Sequence, residues 1–193
     1  MKSKILMILG SALLLTLFIF PLWKISLSAP QYPTRDLGML IYIYKFEDDQ
    51  PHDIKNIDIL NHYVGMKEIP ETIPEFKIFP IVILVMSIAG ILIGIFKEKN
   101  WYLGWFIVMA LCAAAGMLDF YLWEQNYGHE LNPMAPIKIL DDNGNILGFS
   151  PPFIGSKRIL NIDAHSYPAL GGVFLFIGML LTFVAYLIAP KKK

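Results

Sequence analysis

The chain has 193 residues, 55% of them hydrophobic, with 16 Lys/Arg balanced by 16 Asp/Glu and a single cysteine. Formal neutrality without a long basic run excludes nucleic acid as a partner held by charge, and one cysteine excludes an intrachain disulfide. The apolar residues are gathered into blocks without polar back faces, which excludes an ordinary soluble core.

A bilayer core of about 30 Å takes roughly 20 apolar residues per helix, and four blocks meet that length. The first runs from Ile5 to Leu22 without a charge. A cleaved signal peptide is its competing reading. The best cut, after Ala29, is disfavoured by Leu27 three residues before it and by Pro30 just after it. An outer loop over residues 24–77 follows. Within it Leu37 to Phe46, rich in β-branched and aromatic residues, predicts a strand. Asp53 to Val64 predicts a short helix with Asp53 as N-cap and Ile57, Leu60 and Val64 on one face. Pro70, Pro74 and Pro80 then lead an extended segment back to the second block, Phe79 to Phe96. The third block, Trp101 to Trp123, holds Cys112 and one charge, Asp119. A second outer loop, 124–168, carries Pro136 to Phe149, where an Asp-Asn-Gly turn between apolar runs predicts a hairpin. Pro151, Pro152 and Pro168 punctuate its remainder, and Ala169 to Ala189 is the fourth block.

Four crossings place Met1–Lys4, Lys97–Asn100 and Pro190–Lys193 on one side, with seven lysines and one acid among twelve residues. The positive-inside rule makes that side cytoplasmic. The two outer loops hold nine Lys/Arg against fourteen Asp/Glu, a balance of −5. Trp23, Trp101, Trp105 and Trp123, with Tyr102 and Tyr121, fall near block ends, where amphipathic rings settle at the headgroups. The expectation is a mainly α membrane protein: one domain over 1–193, a four-transmembrane-helix bundle under a small extracytoplasmic cap containing short β-strands. The bacterial inner membrane is its place, with both termini cytoplasmic. A claudin-like arrangement fits on topology alone. A weak internal repeat at an offset of 100 residues pairs Phe20, Leu22 and Trp23 with Phe120, Leu122 and Trp123. It also pairs Ile59, Leu60 and Asn61 with Ile159, Leu160 and Asn161.

No Walker loop, G-x-S-x-G elbow, H-E-x-x-H pair or C-x-x-C occurs, so no enzyme is expected. A quinone-linked redox subunit needs an intramembrane ligand pair or acidic relay, and the blocks contain Asp119 alone. His52, His62, His129 and His165 all fall in the outer loops, as do Met39, Met66 and Met134. Imidazole and thioether together suit copper. His62 and Met66, four apart, would share a face on a continuing helix. His129 and Met134 flank a turn-like stretch, and His165 and Asp119 fall near the outer membrane surface. These six are the candidate metal ligands. Their ordinary alternatives are solvated or hydrogen-bonded histidines, packing methionines, and an aspartate that reaches the interface or pairs with Arg158.

The segments FPLWKISLSAPQYP, IDILNHYVGMKEIPETIPEFKIFP, DFYLWEQNYGHELNPMAPIKI, PPFIGSK and AHSYP resemble a family of small bacterial membrane proteins. That family is found beside the accessory proteins of nitrous oxide reductase, including a copper chaperone. The resemblance runs through most of the chain and carries no catalytic residues across. It implies a setting: the periplasmic side, copper delivery, and maturation of a copper enzyme. Two readings follow. In one, the protein is an accessory factor that binds copper or docks a copper chaperone at its outer face. In the other, it is a non-metal structural partner whose cap binds a periplasmic protein.

Overall fold

The computed structural model describes residues 1–138, 140, 148 and 151–190. The first block is a helix, α1 (Lys2–Leu13), that tightens into a 3-10 turn over Leu14–Phe18. It is therefore shorter than the 18-residue span the hydropathy suggests. The Thr16 hydroxyl bonds back to the Leu13 carbonyl at 2.6 Å, which competes with the helical ladder. Pro21 then bars continuation, because the residue before a proline is pushed out of the helical region. Chain direction changes there, and Trp23–Ser28 forms strand β1.

Leu37 to Phe46 is not one strand. It splits into β2 (Leu37–Ile41) and β3 (Phe46–Asp48), joined by a tight turn in which the Tyr42 N–H donates to the Lys45 carbonyl at 2.9 Å. The turn buries Ile43 in the core between the long helices, and this contact outweighs the strand propensity of the run. Helix α2 (Asp53–Val64) has the expected bounds and buries Ile57 and Leu60. Its cap residue is His52, in the left-handed region at φ 71°, with Asp53 as the first helical residue. Asp53 is fully buried, and its carboxylate accepts from Gly38 N at 2.9 Å, Gln50 N at 3.0 Å and the Arg35 guanidinium. It clamps the sheet to the helix rather than merely capping it.

Helix α3 (Glu75–Phe96) starts at Pro74 and takes Pro80 into its second turn, so the extended segment ends earlier than the prolines imply. Helix α4 (Lys99–His129) has 31 residues, six more at its C-terminal end than the apolar block. After β4 (Gly155–Ile159) and β5 (Ile162–Pro168) comes helix α5 (Leu170–Ile188). Among the described residues, three helices, α3, α4 and α5, are long and apolar enough to cross a membrane. The hairpin expected over Pro136 to Phe149 lies largely outside the described residues. The offset-100 repeat has no structural counterpart: Ile59–Asn61 is helical, whereas Ile159 ends β4 and Leu160–Asn161 makes the β4–β5 turn.

The helices pack closely because small residues line the contacts. A side chain at Gly10 would meet the Gly178 carbonyl oxygen at 2.5 Å, and one at Gly90 would meet Ser11 Oγ at 2.1 Å. Ser87 Oγ donates to the Ser11 carbonyl at 2.9 Å. At one end of the helices Lys4 Nζ reaches the Ile95 carbonyl at 2.9 Å and Lys99 Nζ reaches that of Ala189 at 3.3 Å. These ammonium groups neutralise the carbonyl ends of α3 and α5.

Among the described residues, five strands form one antiparallel sheet at the other end, in the order β3-β2-β1-β5-β4. Three strands from the loop after α1 thus join two from the loop before α5. Alternation along β1 and β2 sends Trp23, Ile25 and Leu27, with Leu37, Met39 and Ile41, to one face, as the period of two requires. That face packs on α2 and on Met117 and Phe120 of α4. The Trp23 indole donates to Ser166 Oγ at 2.7 Å, and Ser166 donates to the Phe153 carbonyl at 3.1 Å.

Candidate functional site

The six candidate ligands lie in different places. Helix α2 stops at Gly65 (φ 80°), where Met66 N donates to the Asn61 carbonyl at 2.9 Å and Gly65 N to that of His62 at 3.3 Å. This Schellman ending reverses the chain before Met66, so the four-residue spacing does not set the pair on one helical face. His62 lines an outer groove, and Met66 lines a different, inner cavity. His129 ends α4 with Nδ1 2.7 Å from the Gln125 carbonyl, its ring close enough to Gly148 to leave no room for a Cβ there. Met134 is 84% exposed.

His165 stands opposite Ser26 on β5, on the sheet face away from the core, and its Nδ1 is 2.7 Å from Ser156 Oγ. Asp119 is exposed on α4. Arg158, considered as its partner, instead faces Asp163 across the β4–β5 hairpin at 3.8 Å. Among the described residues, no three His, Cys, Asp or Glu side chains are grouped to hold a metal ion. The six candidate ligands are not gathered into a single copper centre.

Two concave features flank α2 instead. The groove on its outer side is open, about 900 Å³, and includes Lys55, Asp58, His62 and Tyr63 with Glu68 and Glu71. Three carboxylates against one lysine make it acidic. Asp58 accepts from Ile69 N at 2.8 Å, yet burial against the Ile69 segment holds its carboxyl above the ordinary range, with the Glu68 charge adding to the shift and the Ile69 bond opposing it. Tyr63 is half exposed, as is Ile59.

The cavity on the inner side, about 100 Å³, lies between the sheet, α2 and the end of α4. Its walls are almost wholly apolar, with Ile25, Met39, Leu60 and Ile162 among them. Trp123 and Tyr127, stacked at 5.0 Å, form the α4 side. The Tyr127 hydroxyl donates to the Lys67 carbonyl and receives the Asn61 amide at 3.4 Å. Glu124 lies between the two rings in sequence, is 1% exposed, and has an Oε1 without a hydrogen-bond partner among the described residues.

Sequence reading missed Glu124. It follows the third apolar block directly and looks like the first solvated residue after a span. The available signal was the spacing of Phe120, Trp123 and Tyr127, an aromatic stripe at three and four residues that prolongs the helix past Glu124. Compared with known proteins, the chain matches no family model, no curated protein and no solved structure.

Proposed function

We propose that this chain is an accessory membrane protein that crosses the bilayer four times. Its cap docks a periplasmic partner in the delivery of copper to an enzyme of the nitrous oxide reductase system. The crossing count rests on α1 and its 3-10 turn, which together rise about 28 Å, near the hydrocarbon thickness. Their close contacts with α3 and α5 at Gly94, Gly90 and Gly178 support it. The lysines at the opposite end from the sheet favour a cytoplasmic placement of both termini.

The acidic groove beside α2 carries the docking reading. It combines exposed aromatic and aliphatic side chains, Tyr63 and Ile59, with an excess of carboxylates. Such a mixture suits a basic segment of a partner, because complementary charge speeds encounter and apolar anchors slow release. The resemblance to proteins encoded beside nitrous oxide reductase accessory factors supports a copper chaperone or copper enzyme as that partner. Dispersal of the histidines favours docking over direct copper binding.

A photo-crosslinking residue at Tyr63 in cells tests this. The expected result is an adduct with a periplasmic protein that disappears when Glu68→Lys and Glu71→Lys are combined. An adduct that survives the charge reversal, or none at all, would overturn the groove as a docking site. Anaerobic copper loading separates the second possibility. Near-zero loading in both the wild type and the His62/His129/His165 triple alanine variant is expected, whereas stoichiometric loading lost in the variant would establish copper binding instead.

A further inference from the structure

A carboxyl group sealed among apolar walls is unstable as an isolated charge, because it gives up hydration that nothing local replaces. Glu124 is in that position: 1% exposed, with Oε1 unpartnered among the described residues, on the wall of the inner cavity. The cavity is larger than one water requires and similar in scale to apolar cavities that admit small organic molecules. Hard metal ions are poor occupants, since they require six or more oxygen ligands and this lining supplies one carboxylate.

The rim carries a second anomaly. The two-residue turn Leu160–Asn161 joins β4 to β5, with Ile159 paired to Ile162. Its first residue has φ 56°, a position in such turns that ordinarily takes glycine. Leucine in the left-handed region is strained, because its Cβ crowds the backbone there. The Leu160 side chain lines the cavity, and closing its rim is a return for that strain.

We propose that the cavity binds a small organic ammonium ion. Its N–H donates to Glu124 Oε1, and its alkyl part lies against Met39, Leu60 and Leu160. The stacked Trp123 and Tyr127 rings add the attraction of an aromatic wall for a cation. A buried carboxylate and a buried ammonium offset each other's desolvation, which neither an alcohol nor an alkane does. This site is separate from the acidic groove, because α2 stands between them and its two sides line different spaces.

The test uses the full chain in lipid nanodiscs, titrated with n-butylammonium while Trp fluorescence is followed, with n-butanol as the uncharged probe of the same shape. Saturable butylammonium binding at least tenfold tighter than butanol is expected. Glu124→Gln should weaken it at least tenfold, and Leu160→Gly should weaken it severalfold while leaving the fold intact. Equal binding of both probes, or no saturation with butylammonium, would overturn the proposal, the latter meaning a cavity occupied by water only. Because the two probes are compared on the wild type, the result stands even where Glu124→Gln does not fold. An unaltered affinity in a folded Glu124→Gln protein would overturn it as well.

Discussion

The helical layer and the cap solve the same problem, the satisfaction of buried polar backbone, by different means. Each long helix closes its own hydrogen bonds, so its outward side chains need only be apolar. Ile81, Val85, Leu111 and Phe176 are accordingly exposed on the helix surfaces. The cap closes its bonds between segments far apart in the chain, with β1 paired to β5 from Trp23–Pro168 to Ser28–Asp163. Helix contacts tolerate little beyond small residues, while the cap relies on a few buried polar clamps. Damage should therefore spread differently in the two regions: by steric exclusion in one, by loss of a clamp in the other.

The sharpest contrast is expected at Asp53. Asp53→Ala removes three acceptor bonds and leaves the Gly38 and Gln50 N–H groups without their acceptor, a loss of about 1–3 kcal/mol for each unsatisfied group. The cap should open to protease between Ser28 and Asp53 while far-ultraviolet circular dichroism keeps its helical signal. Cooperative loss of both together would show that cap and helices are one folding unit.

Next comes Gly10→Val, which drives a branched side chain toward the Gly178 carbonyl oxygen, 2.5 Å from where even a Cβ would sit. Overpacking of about 1–3 kcal/mol is expected, read as a lower detergent-unfolding midpoint with the cap's protease resistance preserved until the helices separate.

Ser166→Ala should cost about 1–3 kcal/mol, because it leaves the buried Trp23 indole N–H without its acceptor. A shift in Trp fluorescence would accompany the change, and an unchanged midpoint would mean that water replaces the hydroxyl. Glu124→Leu has the opposite sign: removing an unpartnered carboxyl from apolar walls should stabilise the protein by about 1 kcal/mol or more, read as a higher thermal midpoint. A stabilised protein with lost ligand binding would mark Glu124 as kept for function rather than for folding.

The smallest effect belongs to the histidines. His62 is exposed and His165 shares its bond with Ser156 on the outer sheet face, so either alanine substitution should stay within about 0.5 kcal/mol. A larger effect in the presence of copper alone would reverse the order of the two functional readings.

Helix α2 was legible because apolar residues at Ile57 and Leu60 recur at helical spacing, and its ends carry local signals. The pairing of β1 with β5 was not, since those strands are separated by more than a hundred residues and each is short. Leu37 to Phe46 reads as a single strand until Ile43 is seen to need the helix core. The spacing of His62 and Met66 suggested a shared face, and Gly65 reversed the chain between the two sides.

The amino-acid sequence alone determined the apolar helices, the lysine-rich side opposite the loops, and the amphipathic α2. These follow from hydrocarbon solvation and from hydrogen bonds closed within one segment, both functions of local composition. Tertiary structure alone decided the five-stranded order, the separation of the histidines, and the burial of Glu124. Each depends on which distant surface arrives at a residue, and no local pattern of side chains encodes that arrival.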